Sequence, residues 1–120
     1  MPQDYIIKEI GKFGEMLAKI AMRLGILGNE VTPPDNLPDA LKTELLEEAG
    51  LDTDYLLSLE NPLEYLISEK GLTNQDLETL TIMLLNAGPM TEALESFGND
   101  VMAYLDHEGV FSFALHGMLI

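Results

Sequence analysis

The first 27 residues contain an uninterrupted apolar seam with the spacing of a helix that packs lengthwise against another helix. Its large apolar members follow one another at alternating spacings of four and three residues: Ile6, Ile10, Phe13, Leu17, Ile20, Leu24 and Leu27. This period of 3.5 residues is typical of helices whose side chains interlock with those of a neighbour. We therefore expect a helix over 4–27 whose apolar face is covered by another helix.

A second stripe, displaced by one residue from the first, consists of small residues after Ile7. Its small members are Gly11, Gly14, Ala18, Ala21, Gly25 and Gly28. Because glycine inside a helix costs about 0.5–1 kcal/mol relative to alanine, this stripe predicts a compensating close approach of another backbone.

The sequence does not identify the surface that covers the apolar face of this helix. The helix can pack along the rest of its own chain, or it can pair with a protein partner, which includes the same helix of a second copy in a homodimer. In the second case the candidate interface residues are Ile6, Ile10, Phe13, Gly14, Leu17, Ile20, Ala21, Leu24 and Leu27. A membrane surface is the third alternative, but Glu9 and Glu15 on the polar face and the acidic remainder of the chain argue against it.

Helix start and stop signals recur along the rest of the chain, whereas strand signals are nearly absent. The predicted helices cover 4–27, 38–50, 52–59, 61–71, 73–88, 90–107 with a break at Gly98-Asn99, and 110–119. We therefore predict an all-α fold of six to seven helices, a compact bundle of αα-hairpins. It forms one domain over 1–120, with the N-terminal heptad helix at 1–27, a proline-containing loop at 28–36 and an acidic helical body at 37–120.

Charge and composition restrict the classes of partner. The net charge is −15, and residues 1–28 contain four of the six basic side chains, so residues 29–120 carry almost all of the negative charge. This field repels phosphate backbones and argues against nucleic-acid binding. The chain has no cysteine, no secretory signal pattern and no apolar run long enough to span a membrane, and we expect a cytoplasmic protein.

The segment LETLTIMLLNAGPMTEALESF, residues 77–97, resembles the helical hairpin of a tetratricopeptide repeat. The resemblance implies that Gly88 lies at the turn, that Ala93 lies where the two helices approach, and that Phe97 occupies the aromatic position. The chain departs from the pattern at Thr81 and Gly98, and it has no second copy of the segment. The start QDYIIKEI also resembles a small bacterial family of helical proteins without an assigned activity. Both resemblances imply a helical interaction module.

The sequence contains no pattern typical of a catalytic, cofactor or metal site, and we predict that the protein is not an enzyme. His107 and His116 are nine residues apart and belong to different predicted helices, with His107 expected at a helix C-terminus. Asp52 and Asp54 are better explained as helix-capping residues than as calcium ligands.

The apolar C-terminal run VFSFALHGMLI, residues 110–120, is expected to be buried, either against the first helix or across a dimer interface. The functional prediction is a protein-interaction or structural module that acts through its N-terminal helix. The alternative is a helical domain that binds or converts a small ligand in an apolar interhelical pocket, with His116 or Tyr104 as the polar group.

Overall fold

The computed structural model describes the backbone of residues 2–26 and 34–119, and the side chains of 13–26 and 34–119. Within these ranges the chain is all-α, as predicted, and contains seven α-helices and no strand. The helices are α1 (Pro2–Leu24), α2 (Leu37–Ala49), α3 (Thr53–Ser58), α4 (Pro62–Glu64), α5 (Asn74–Ala87), α6 (Glu92–His107) and α7 (Phe113–Leu119). A π-helical segment, Tyr65–Glu69, continues α4.

Helix α1 ends three residues earlier than predicted. Gly25 has a φ of 71°, and Ile26 N–H donates to the Ala21 carbonyl at 2.9 Å, a pattern that closes a helix C-terminus. Gly25 is therefore the residue that terminates the helix, not a member of a small stripe inside it. Ile26 turns back into the core and is 3% exposed. Leu27 and most of the predicted 28–36 loop lie outside the described residues.

Most of the predicted helix caps are confirmed. Asp52 accepts a hydrogen bond from Tyr55 N–H at the start of α3, and Gly50 ends α2 with a φ of 65°. Thr73 forms a reciprocal capping box with Asp76 at the start of α5. The segment Asn61-Pro62-Leu63-Glu64 has the sequence of a capping box, but the box does not form, because the Asn61 side chain donates to the Glu64 carboxylate at 3.2 Å and does not bond a backbone N–H.

The last two helices differ from the prediction at their starts and at Gly98. Helix α6 begins after Thr91, whose hydroxyl caps Leu94 N–H, and it continues through Gly98 without a break. A Cβ at Gly98 would lie 3.2 Å from Leu119 Cδ2, so the glycine lets α7 approach α6 closely. Ser112 caps Leu115 N–H at 3.2 Å, and α7 therefore begins at Phe113 and not at Val110.

Helix α5 lies at the centre of the molecule and contacts α1, α2, α6 and α7. Its buried apolar side chains are Leu77, Leu80, Met83, Leu84 and Leu85. They join one continuous core with side chains from α1, α2, α3, α6 and α7.

Candidate interaction surface

The described part of the α1 seam is covered by its own chain. Leu17 and Ile20 are fully buried, and Ala21 and Leu24 are 3% and 7% exposed, in a helix that contacts α2 and α5. Phe13 is half-buried against the same core. The side chains of Ile6 and Ile10, and all of Leu27, lie outside the described residues. Pairing of residues 17–24 with a second copy would therefore require α1 to leave its own core.

The small stripe of α1 contains one close approach among the described residues. A Cβ at Gly14 would lie 3.1 Å from Asp76 Oδ1, in the capping box at the start of α5. Ala21 is buried, whereas Ala18 is exposed. Close packing at a small residue is therefore observed at position 14, where the neighbour is a side-chain carboxylate and not a backbone, and position 18 belongs to the outer face.

The basic face of α1 is held against acidic side chains of α2. Arg23 Nη2 lies 2.6 Å from Glu44 Oε2 and 3.7 Å from Glu48 Oε1. The Arg23 side chain is 49% exposed, so solvent screens these ion pairs and they add little to stability.

An exposed aromatic patch lies at the C-terminus, and we define it as Phe111, Phe113 and His116. Phe113 is 85% exposed and Phe111 is 56% exposed, and their ring centroids are 4.8 Å apart at an interplanar angle of 79°. The His116 ring stacks on Phe111 at 4.3 Å and 19°. His116 Nε2 also lies 3.5 Å from Asp106 Oδ1. The Phe111 ring thus contacts the other two rings of the patch at the surface.

The two phenylalanines of the C-terminal run are not buried within their own chain, so the alternative of burial against the first helix is wrong for them, and burial across a dimer interface stays a prediction. Leu115 is fully buried, and Met118 and Leu119 are half-buried against the core. Since these three residues follow i, i+3 and i+4 spacing, they occupy one face of α7. Phe113 lies about 200° of helical rotation away from Leu115 and therefore points outward. The helical spacing within 113–119 was the signal that could have revealed this exposure.

The remaining sequence candidates lie apart from one another. His107 is exposed at the C-terminus of α6, as expected, and His116 belongs to the aromatic patch. Among the described residues no group of three or more His, Asp and Glu side chains is placed to hold a metal ion. In the repeat-like hairpin, Gly88 lies at the turn and Phe97 is buried, but Ala93 is exposed.

A cavity of about 360 Å³ lies between α2, α3 and the turn that joins α5 to α6. Leucines 41, 57, 84 and 94 form much of its wall, and Thr53 also lines it. Neither His116 nor Tyr104, the polar groups considered from sequence, contributes to this cavity. Thr53 was not singled out in the sequence, where it reads only as the first residue after a helix cap.

Comparisons with known proteins give no match to a protein-family model, a curated protein or a solved structure. In the described part of the chain, none of the helices combines the length and the apolar character that crossing a membrane requires.

Proposed function

We propose that this protein is a small cytoplasmic interaction module that self-associates, with the N-terminal part of α1 of one copy docked on the aromatic patch of another. The observation that carries the proposal is the exposure of Phe111 and Phe113. A chain without cysteine is compatible with a reducing compartment, which supports the cytoplasmic location.

The aromatic patch has the composition of a binding surface. Clustered exposed aromatic side chains mark interaction sites, and aromatic anchors contribute a large share of binding energy where water is excluded around them. Asp106 and Glu108, both exposed, lie at the end of α6 just before the segment that carries the patch, and Asp106 contacts His116. An apolar centre with an acidic edge favours a partner segment that is apolar and basic.

The N-terminal part of α1 is the segment of this chain with that composition. Residues 1–12 contain Ile6 and Ile10 of the seam together with Lys8 and Lys12. Asp4 and Glu9 make this segment formally neutral, whereas residues 29–120 contain two basic and eighteen acidic side chains, so its lysines are the positive charges that can face the acidic edge. Opposite charges on the two surfaces favour encounter and fix orientation. Since both copies present the same two surfaces, a two-fold arrangement satisfies both contacts and closes the assembly as a dimer.

The mass in solution tests the proposal. Size exclusion with light scattering at tens of micromolar is expected to give about twice the chain mass of 13.3 kDa. Phe113→Ser is expected to weaken dimerisation at least about tenfold, because it removes an anchor from the patch. Its 85% exposure means that the fold is retained, which circular dichroism checks. The charge reversal Lys8→Glu combined with Lys12→Glu is expected to weaken the dimer as well.

Leu46→Ser is the matched control for the loss of an exposed apolar side chain. Leu46 is 53% exposed on α2 and is not part of the aromatic patch, so this variant is expected to dimerise like the wild type. A monomeric wild-type chain would overturn the proposal. An equal loss of dimer in Leu46→Ser and Phe113→Ser would also overturn it, since the effect would then not be specific to the patch.

A further inference from the structure

A groove lies between α3 and the helical turn formed by α4 and the π-helical segment, and we call it the tyrosine groove. Its volume of about 370 Å³ falls within the range of about 300–1,000 Å³ that small-molecule sites occupy. Tyr65, Ser68 and Glu69, three of its lining residues, belong to the π-helical segment. Single π-helical turns are rare and lie frequently at functional sites. None of the lining residues belongs to the aromatic patch, so the groove is separate from the proposed dimer contact.

Two tyrosine rings line the tyrosine groove and stand nearly perpendicular to each other. The ring centroids of Tyr55 and Tyr65 are 5.6 Å apart, and the ring planes are inclined at 76°. Tyr65 packs against the core, whereas Tyr55 is 51% exposed. Proteins bind quaternary ammonium groups in cages of aromatic rings, because the negative face of each ring attracts the cation. The two tyrosines supply two walls of such a cage.

The charged residues that line the tyrosine groove are all carboxylates: Glu60, Glu64 and Glu69. None of the three forms an ion pair with another described residue, and Glu64 accepts a hydrogen bond from the Asn61 side chain at 3.2 Å. In the described part of the chain, no acidic side chains converge closely enough to hold a metal ion. A negative charge that is spread around aromatic rings matches an organic cation, whose own charge is spread over several carbon atoms. The net charge of −15 attracts cations at long range as well.

Lys70 offsets only part of this negative charge. Its Nζ lies 5.9 Å from the centre of the Tyr65 ring, at the outer limit of a cation–π contact. The same Nζ donates to the Gly50 carbonyl at 3.0 Å, and Lys70 does not line the groove. The three carboxylates outnumber this one ammonium group, so the surroundings of the two rings are negative on balance.

We propose that the tyrosine groove binds a free small molecule with a trimethylammonium group. The methyl groups of the ligand contact the rings of Tyr55 and Tyr65, and the carboxylates around the groove attract its positive charge. The same group occurs in the phosphocholine headgroup of lipids. There a phosphate lies close to the ammonium group, and the carboxylates repel it, which favours the free cation over the headgroup.

Three probes test the proposal: choline, its neutral isostere neohexyl alcohol, in which carbon replaces the nitrogen, and phosphocholine. Titrations are followed through the ring resonances of Tyr55 and Tyr65. We expect choline to bind with a dissociation constant of about 1–10 mM, and the other two probes to bind at least about fivefold more weakly. Tyr55→Leu removes an exposed ring and is expected to weaken choline binding about two- to fivefold. Tyr55→Phe keeps the ring and is expected to retain the affinity.

Glu60→Gln and Glu47→Gln form a matched pair, since both remove one exposed carboxylate but only Glu60 lines the groove. We expect Glu60→Gln to weaken choline binding about two- to threefold at low ionic strength and Glu47→Gln to leave it unchanged. Equal losses in the two variants would overturn the proposal, because they would reflect net charge alone. Wild-type affinity in Tyr55→Leu would also overturn it, as would binding of neohexyl alcohol or phosphocholine as tight as that of choline. Circular dichroism of the variants verifies that the fold is retained.

Discussion

Leu17→Asp is expected to unfold most of the protein at neutral pH. Leu17 is fully buried in the core that α1 shares with α2 and α5, so the substitution removes apolar contacts and places an unpaired carboxylate among leucine side chains. Losses above about 4–5 kcal/mol accompany such changes, and a domain of this size has about 5–15 kcal/mol in total. Urea denaturation followed by circular dichroism measures the free energy of unfolding.

Ala18→Asp is the matched control for this variant. It introduces the same charge at the neighbouring position of α1, where the side chain is exposed. We expect a loss of no more than about 1 kcal/mol, which reflects the lower helix propensity of aspartate. Equal and small effects of the two substitutions would contradict the placement of α1 in the core.

Phe97→Ala is expected to lower the free energy of unfolding by about 3–5 kcal/mol, which is the usual cost of truncating a buried phenylalanine. Phe97 is 2% exposed and lies on α6, which packs against the central helix α5. The substitution leaves a cavity that the surrounding helices fill only in part. The loss is measured as a lower urea midpoint with an unchanged slope.

Phe113→Ala provides the comparison, because it removes the same ring from an exposed position on α7. Its effect on unfolding of the monomer is expected to lie within about 0.5 kcal/mol of zero. A large loss in Phe113→Ala would show that α7 packs differently from the arrangement described. A small loss in Phe97→Ala would contradict the burial of the α5–α6 interface.

Local signals in the sequence were sufficient to predict most of the helices. Asp52 and Thr73 mark helix starts because their side-chain oxygens satisfy N–H groups that have no partner within the helix. Gly25 shows where this reasoning failed. It occupies a regular position in the small stripe of α1, yet it adopts a left-handed conformation that ends the helix. A glycine followed by a buried apolar residue is compatible with both roles, and the local pattern does not distinguish them.

The apolar seam of α1 shows a second limit of sequence reasoning. A heptad period indicates that one helix face is covered, but it does not identify the molecule that covers it. In the structure, Leu17, Ile20 and Leu24 are covered by other helices of the same chain, because all three lie in its hydrophobic core. For Ile6 and Ile10, contact with a second copy of the chain stays a prediction.

Two features of the surface depend on tertiary geometry and had weak sequence signals. The exposure of Phe113 follows from which face of α7 packs on α5 and α6, and the apolar composition of 110–120 concealed it. The cavity beside Thr53 arises where residues from α2, α3, α5 and α6 meet, and its lining residues lie up to 56 positions apart along the chain, from Pro38 to Leu94. A local sequence pattern therefore cannot predict this cavity.

The most direct test of the proposed self-association uses a spin label on α1. Because the chain has no cysteine, Lys8→Cys provides a unique attachment site for a nitroxide. Labelled protein is mixed with unlabelled, nitrogen-15-enriched protein, and relaxation of the amide signals in the enriched copy is measured. We expect signal loss at Phe111, Ser112 and Phe113, where α1 of the other copy docks. Signal loss along α2 and α5 would instead indicate exchange of α1 between copies, and it would contradict the proposal, as would the absence of any loss between molecules.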